Sequence, residues 1–306
     1  MTCDYILCAL RVRSELAMPE LFSWNGDDRP ADVEVSFGTI QEPTEAPVWT
    51  RPFSRLWAGG AYLLHITKVG RFFTEGGNKI VLEPAAGALE SELRLFTLGT
   101  SFGVLCHQRG FLPLHASAVR LDGKAVVIAS NSGHGKSTLS AALRARGHSL
   151  VGDDVAVVDP KGPFILPAYP QHKLAPDVLE TLGFKHEGLQ ANRPGLTRFC
   201  VPANDGFDPA PLTPSVIYLL KGGMPEQAGG FEKLNTADAM AHHKAMVYRR
   251  GVGLQIQTAV AVFRTLAGLS KTVSTYSLRV GKSSSLSELG RLAERVESHA
   301  RSLTVK

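Results

Sequence analysis

Apolar and polar residues alternate in short runs over the first 85 or so positions, then give way to longer stretches with apolar residues three and four apart. The alternating runs predict strands at Tyr5 to Val12, Val33 to Phe37, Ala61 to Ile66, Arg71 to Phe73 and Lys79 to Glu83. Gly, Pro and Asn separate them, and EGGN (Glu75 to Asn78) reads as a hairpin turn. From Leu89 to Arg109 the apolar spacing is helical and stops at Gly110. Beyond it, Leu114 to Leu121 and Lys124 to Ala129 read as two strands joined by an Asp122-Gly123 turn. Helices are expected at Thr138 to Arg146, Lys173 to Gly183, Thr236 to Tyr248, Thr258 to Ser270 and Ser285 to Leu303. Strands are expected at His148 to Val151, Val155 to Val158, Ser215 to Lys221 and Val273 to Arg279. The pattern describes a mixed α/β chain in two parts. A small, mostly antiparallel β domain covers 1–88, and a larger α/β domain covers 89–306.

The strand ending at Ala129 runs into Ser130 to Thr138, SNSGHGKST, and then into a helix. This is the context of a phosphate-binding loop, in which backbone N–H groups and a helix N-terminus face an anion. Asn131, Ser132, Gly133, His134, Gly135, Lys136, Ser137 and Thr138 are the expected nucleotide contacts. Lys136 would meet the β- and γ-phosphates, and the Ser137 hydroxyl a Mg²⁺ ion. Ser130 stands where the usual pattern has its first Gly. Asp153 and Asp154 follow the next strand among apolar residues, where a carboxylate pair suits metal binding and proton transfer. The Asp122-Gly123 turn carries His115 to the same end of its strand pair as the loop.

Composition narrows the classes. The chain has 306 residues and a formal charge of +5, with its basic residues scattered, so a nucleic-acid partner is not expected. No apolar run is long enough to span a bilayer, and the first residues lack a signal-peptide core. No membrane partner and a cytoplasmic setting are the expectations. Cys3, Cys8, Cys106 and Cys200 have neither redox nor zinc spacing, and reduced thiols are expected. His242, His243 and Lys244 are read as an exposed helix face.

The ordered motifs LHASAV, SNSGHGKST and RGHSLVGDD, between about Leu112 and Asp159, resemble the HPr kinase/phosphorylase family. Its nucleotide-binding core is related to that of phosphoenolpyruvate carboxykinase. SELAMPEL (Ser14 to Leu21) and QRGFLPLHASAV look more like a divergent branch that includes kinases acting on a serine of lasso-peptide precursors. The resemblance implies an HPr kinase C-terminal-domain-like P-loop core behind the β-rich domain. It also implies an ATP- and Mg-dependent transfer of the γ-phosphoryl group to a peptide or protein serine. Under it Asp153, His115 and Lys136 are catalytic, with Asp153 the base, and Ser137 and Asp154 hold the metal. The family's LEIRGLGI segment has no good copy here, which argues against HPr as the substrate. Arg193, Arg198, Lys233, Arg249 and Arg250 are the candidate cations for the transferred group, with Arg198 and Lys233 preferred. A nucleotide-binding regulator without transfer, a small-molecule kinase and a homo-oligomer stay open.

Overall fold

The computed structural model describes residues 2–130, 135–185, 187–189, 191, 198–222, 230–281 and 285–303. Asn131, Ser132, Gly133, His134 and Arg193 lie outside the described residues. The chain divides into two units, Met1–Pro113 with Tyr248–Phe263, and Leu114–Val247 with Arg264–Lys306. The stretch from 89 to 113, assigned from sequence to the larger domain, clusters with the first unit.

In the first unit, nine strands among the described residues form one sheet: β1 (Cys3–Leu7), β2 (Leu10–Ser14), β3 (Phe22–Ser23), β4 (Val33–Phe37), β5 (Trp49–Arg51), β6 (Ser54–Leu56), β7 (Tyr62–Ile66), β8 (Gly70–Glu75) and β9 (Lys79–Pro84). The order is β3-β1-β2-β4-β9-β8-β7-β6-β5, antiparallel except where β4 pairs with β2 and β9. Tyr5 to Val12, expected as one strand, is a hairpin. Cys8 and Ala9 turn with φ of 52° and 60°, and Leu7 pairs with Leu10. Two successive positive φ angles make the tight turn that matches strand twist. No Gly or Asn marks it in the sequence. Gly76 and Gly77, at φ 63° and 69°, make the expected turn between β8 and β9. The helical stretch after Leu89 consists of α1 (Glu90–Phe96), a π-helical turn and α2 (Phe102–Gln108), and ends before Gly110.

β10 (Leu112–Leu114) leads into the second unit. There follow β11 (Ala116–Leu121), β12 (Lys124–Ala129), α3 (Lys136–Ala145), β13 (Ser149–Gly152), β14 (Ala156–Asp159), β15 (Phe164–Leu166), β16 (Gln171–Leu174), α4 (Pro176–Thr181), β17 (Phe199–Pro202), β18 (Pro214–Gly222), β19 (Phe231–Lys233), α5 (Thr236–Ala245), α6 (Arg250–Ile256), α7 (Ala259–Thr272), β20 (Ser274–Val280) and α8 (Leu286–Ser302). α6 belongs to the first unit. The main sheet of the second runs β13-β11-β12-β18-β20-β19, with β18 parallel to both β12 and β20. Period-two positions of four strands, Val119, Leu121, Val126, Ile128, Val216, Tyr218, Leu220 and Leu278, bury one face under α3 and α8. α3 meets that face through Leu139, Ala142 and Leu143, while Ala141 turns toward Leu174 and Val201 of the β16–β17 hairpin. A helix packed on both sides has a fixed N-terminus.

Tyr218, fully buried in this core, shares a hydrogen bond of 2.7 Å with His299 Nδ1. Tyr218→Phe is expected to cost about 1 kcal/mol, read as a lower urea midpoint at unchanged m-value. His243 corrects the exposed-face expectation for its helix. It is buried, with Nδ1 3.0 Å from Ser270 Oγ and Nε2 3.1 Å from Thr275 Oγ1. Burial, joined by the neighbouring His242, lowers its pKa to about 4, so the ring is neutral at pH 7. The four cysteines are free thiols, and no single helix among the described residues is long and apolar enough to cross a membrane.

Candidate active site

The Asp122-Gly123 turn, at φ 48° and 78°, folds β11 against β12 so that Ala116 pairs with Ala129. His115 and the segment after β12 therefore share one end of the sheet. Gly135 precedes α3 in the left-handed region at φ 86°, a conformation that suits Gly. α3 starts two residues earlier than the apolar spacing indicated, at Lys136, so the lysine and Ser137 occupy its first turn. Among the described residues no side chain caps this N-terminus, and a helix start of this kind offers N–H groups and a dipole to an anion.

Lys136 is buried, and its Nζ donates to the Ser130 carbonyl at 3.1 Å and lies 3.5 Å from the Ser130 hydroxyl. Ser130, the departure from the usual loop, is thus a support for the lysine. Burial pulls the Lys136 ammonium below the ordinary lysine range and Arg198 adds to this, against the opposing pull of Asp154 and Asp153.

The two aspartates have separate surroundings. The Asp153 side chain is 0% exposed, with four donors on its oxygens. Oδ1 accepts from the Ser117 hydroxyl, from Ser137 Oγ at 2.9 Å and from the Asp154 N–H at 3.0 Å. Oδ2 accepts from the Lys173 N–H at 3.0 Å. His172 Nδ1 stands 3.7 Å from Oδ2, outside hydrogen-bond range, and the ring is buried. Burial raises the Asp153 carboxyl pKa, but His172, Ser117 and the Lys173 N–H outweigh it and bring the value to about 2.

Asp154 has a φ of 73°, and its side chain is 32% exposed. Oδ1 is 3.2 Å from His115 Nδ1, and Oδ2 accepts from Lys173 Nζ at 3.4 Å. His115 Nδ1 also lies 3.0 Å from the Asp154 carbonyl. Burial works against ionisation here too, and His115 and Lys173 overcome it and hold the carboxyl far below the usual range.

A cleft of about 230 Å³ opens on this cluster. Of the residues singled out from sequence it is lined by His115, Gly135, Lys136, Ser137, Thr138, Asp154 and Arg198. Asp153 lies behind the cleft wall. Lys233 is exposed on β19 and is not on the cleft lining; Arg249 and Arg250 belong to the first unit, where Arg249 donates to Thr100 Oγ1 at 2.7 Å. Ser117, His172, Lys173 and Asp177 were not singled out. Ser117 lies on β11 two positions after His115, which occupies a bend between β10 and β11, and the burial of Ser117 among Ala116, Ala118 and Val119 gives no local sign of the Asp153 contact. Lys173, read from sequence as the start of a helix, lies with His172 in strand β16, because its pairing opposite Cys200 spans a long interval of chain, and the helix begins only at Pro176.

The cluster has the parts that phosphoryl transfer requires: an anion-ready helix N-terminus, a lysine, a buried carboxylate holding the helix serine, and an accessible carboxylate with a basic partner. No protein-family model matches the chain, and no curated protein sequence does. Among solved structures it is similar to the HPr(Ser) kinase/phosphatase from Coxiella burnetii, with 14% identity over 62% of this chain and 92% of that one, at a TM-score of 0.33. A likeness this loose says nothing of activity.

Proposed function

We propose that the protein is an ATP- and Mg-dependent phosphotransferase that moves the γ-phosphoryl group to an alcohol, the serine hydroxyl of a peptide or protein. The observation that carries the reading is the division of labour between adjacent carboxylates. Asp153 is saturated and bonded to Ser137 at 2.9 Å, whereas Asp154 faces the cleft between His115 and Lys173. A loop that only binds nucleotide needs no second, accessible carboxylate kept ionised by cations.

Ser137 supplies a hard oxygen donor of the kind that Mg²⁺ prefers, and Asp153 holds that hydroxyl at 2.9 Å from behind the cleft lining. Among the described residues no cluster of three or more His, Cys, Asp or Glu could hold a metal unaided. That fits an ion completed by nucleotide phosphates and water. When bound, Mg²⁺ neutralises phosphate charge. The N–H groups of α3 and Lys136 hold the phosphates. Asp154 takes the proton of the acceptor hydroxyl as the new P–O bond forms and the bond to the bridging oxygen breaks, releasing ADP. His115 orients Asp154 through Nδ1. This gives Asp154 the acceptor side and Asp153 the support of Ser137, in place of the Asp153 base and Asp154 metal ligand expected from sequence, because a carboxylate with no exposed surface and four donors has room for neither a hydroxyl nor a hydrated ion.

Incubation with γ-labelled ATP, Mg²⁺ and serine-containing peptides, a lasso-peptide precursor among them, is expected to give phosphoserine. ATP binding without transfer to any peptide would turn the reading toward a nucleotide-dependent regulator. Transfer to a free alcohol metabolite alone would turn it toward a small-molecule kinase.

A further inference from the structure

We propose that Lys173 contacts the transferred phosphoryl group, exchanging its ion pair with Asp154 for that group when a triphosphate binds. The inference rests on the phosphotransfer reading above and names a cation that the resemblance did not supply.

Three observations carry it. The first is position. Lys173 holds Asp153 through its backbone N–H at 3.0 Å, and Asp153 in turn holds Ser137 at the start of α3. Its ammonium reaches Asp154, on the acceptor side. Lys173 therefore lines the same cleft as Lys136 and Ser137 at the α3 N-terminus, with its ammonium beside Asp154. The second is the looseness of the existing pair. Nζ to Oδ2 is 3.4 Å, well beyond the roughly 2.7–2.9 Å of a strong charge-assisted hydrogen bond. Moving the ammonium from Asp154 to another anion gives up no short bond to that carboxylate. The third is desolvation against a fixed backbone. The side chain is 10% exposed, and the residue sits in the β16–β17 ladder opposite Cys200. Arg198 shares the cleft lining but is exposed, and water weakens a contact made there.

The balance of charge also fits. Asp153 draws its donors from hydroxyl and amide groups, so the cations on the cleft lining, Lys136, Lys173 and Arg198, face the carboxylates of Asp154 and Asp177. A phosphoryl group between Lys136 and Lys173 would leave Asp154 free of its ammonium and ready for a proton. The exchange thus couples arrival of the triphosphate to activation of the base.

Calorimetric titration with Mg-ADP and with a non-hydrolysable Mg-ATP analogue separates this role from a structural one. The parent protein is expected to prefer the triphosphate. Lys173→Gln should lose about 10- to 100-fold of triphosphate affinity while ADP affinity stays the same. Equal weakening of both nucleotides, or an unchanged preference, would overturn the proposal, as would a parent protein that binds both equally. Should the single variant fail to fold, Asp154→Asn/Lys173→Gln leaves no unpaired buried charge. It is expected to show the same loss relative to Asp154→Asn, and a retained preference overturns the idea equally. A parent protein that binds neither nucleotide would instead sink the phosphotransfer reading itself.

Discussion

Asp154→Asn lowers phosphoryl transfer by roughly 10²- to 10⁴-fold, the range associated with a positioned general base, and does not weaken nucleotide binding. The substitution keeps the shape of the side chain and removes its ability to take a proton. Asp154 lies on the cleft lining with about a third of its side chain exposed, 32%, so an acceptor hydroxyl has access to it. Single-turnover transfer from labelled ATP, paired with equilibrium binding, provides the measurement. A variant that retains transfer within threefold or so of the parent would remove Asp154 from the chemistry. A second readout is pH. Burial pushes the carboxyl up, but His115 and Lys173 outweigh it, so Asp154 is in its basic form well below the ordinary carboxylate range. In the nucleotide-free protein, which kcat/KM reports, activity should therefore not fall as pH is lowered through the usual aspartate pKa on account of this group. An acid limb centred there would have to come from elsewhere.

Local signals carried the strand, turn and helix that frame the α3 end of this site. Asp122-Gly123, the strand into Ser130, Gly135 and the apolar spacing of α3 each state their conformation in a few neighbouring residues, and they agree with the structure except that α3 begins two residues early. Other features were not legible, for two physical reasons. A turn built from Cys8 and Ala9 costs backbone strain that the hairpin's own packing of Tyr5, Leu7, Leu10 and Val12 offsets, and nothing in the composition announces it. Likewise, whether His243 faces water depends on Ser270 and Thr275, brought in from distant segments. The division of Asp153 from Asp154 belongs to the same class. Adjacent in sequence, they differ because Ser117, Ser137 and the Lys173 N–H converge on one and leave the other to the cleft.

Asp153→Asn is the substitution expected to cost most in stability, about 3 kcal/mol or more, even in the absence of nucleotide and metal. An amide can replace one carboxylate oxygen as acceptor for Ser117 and Ser137. Its NH₂ group would then face the Lys173 N–H, donor against donor, in a site with no exposed side-chain surface. Flipping the amide moves the conflict to the two serines and the Asp154 N–H. The charge itself also stabilises the fold, with a definite pH signature. The folded-state pKa of Asp153 is depressed from 3.8 to about 2, so the stabilisation is fully present above the unfolded value and is lost as pH falls from about 4 to about 2. At 1.36 kcal/mol per unit this amounts to roughly 2 kcal/mol for a fully buried group. Urea unfolding in chelator between pH 7 and pH 2 is the measurement. The difference between parent and Asp153→Asn should hold steady down to about pH 4 and narrow below it. A difference that persists unchanged to pH 2 would mean that Asp153 is not held as a carboxylate, and with that the proposed hold of Asp153 on Ser137 would fail.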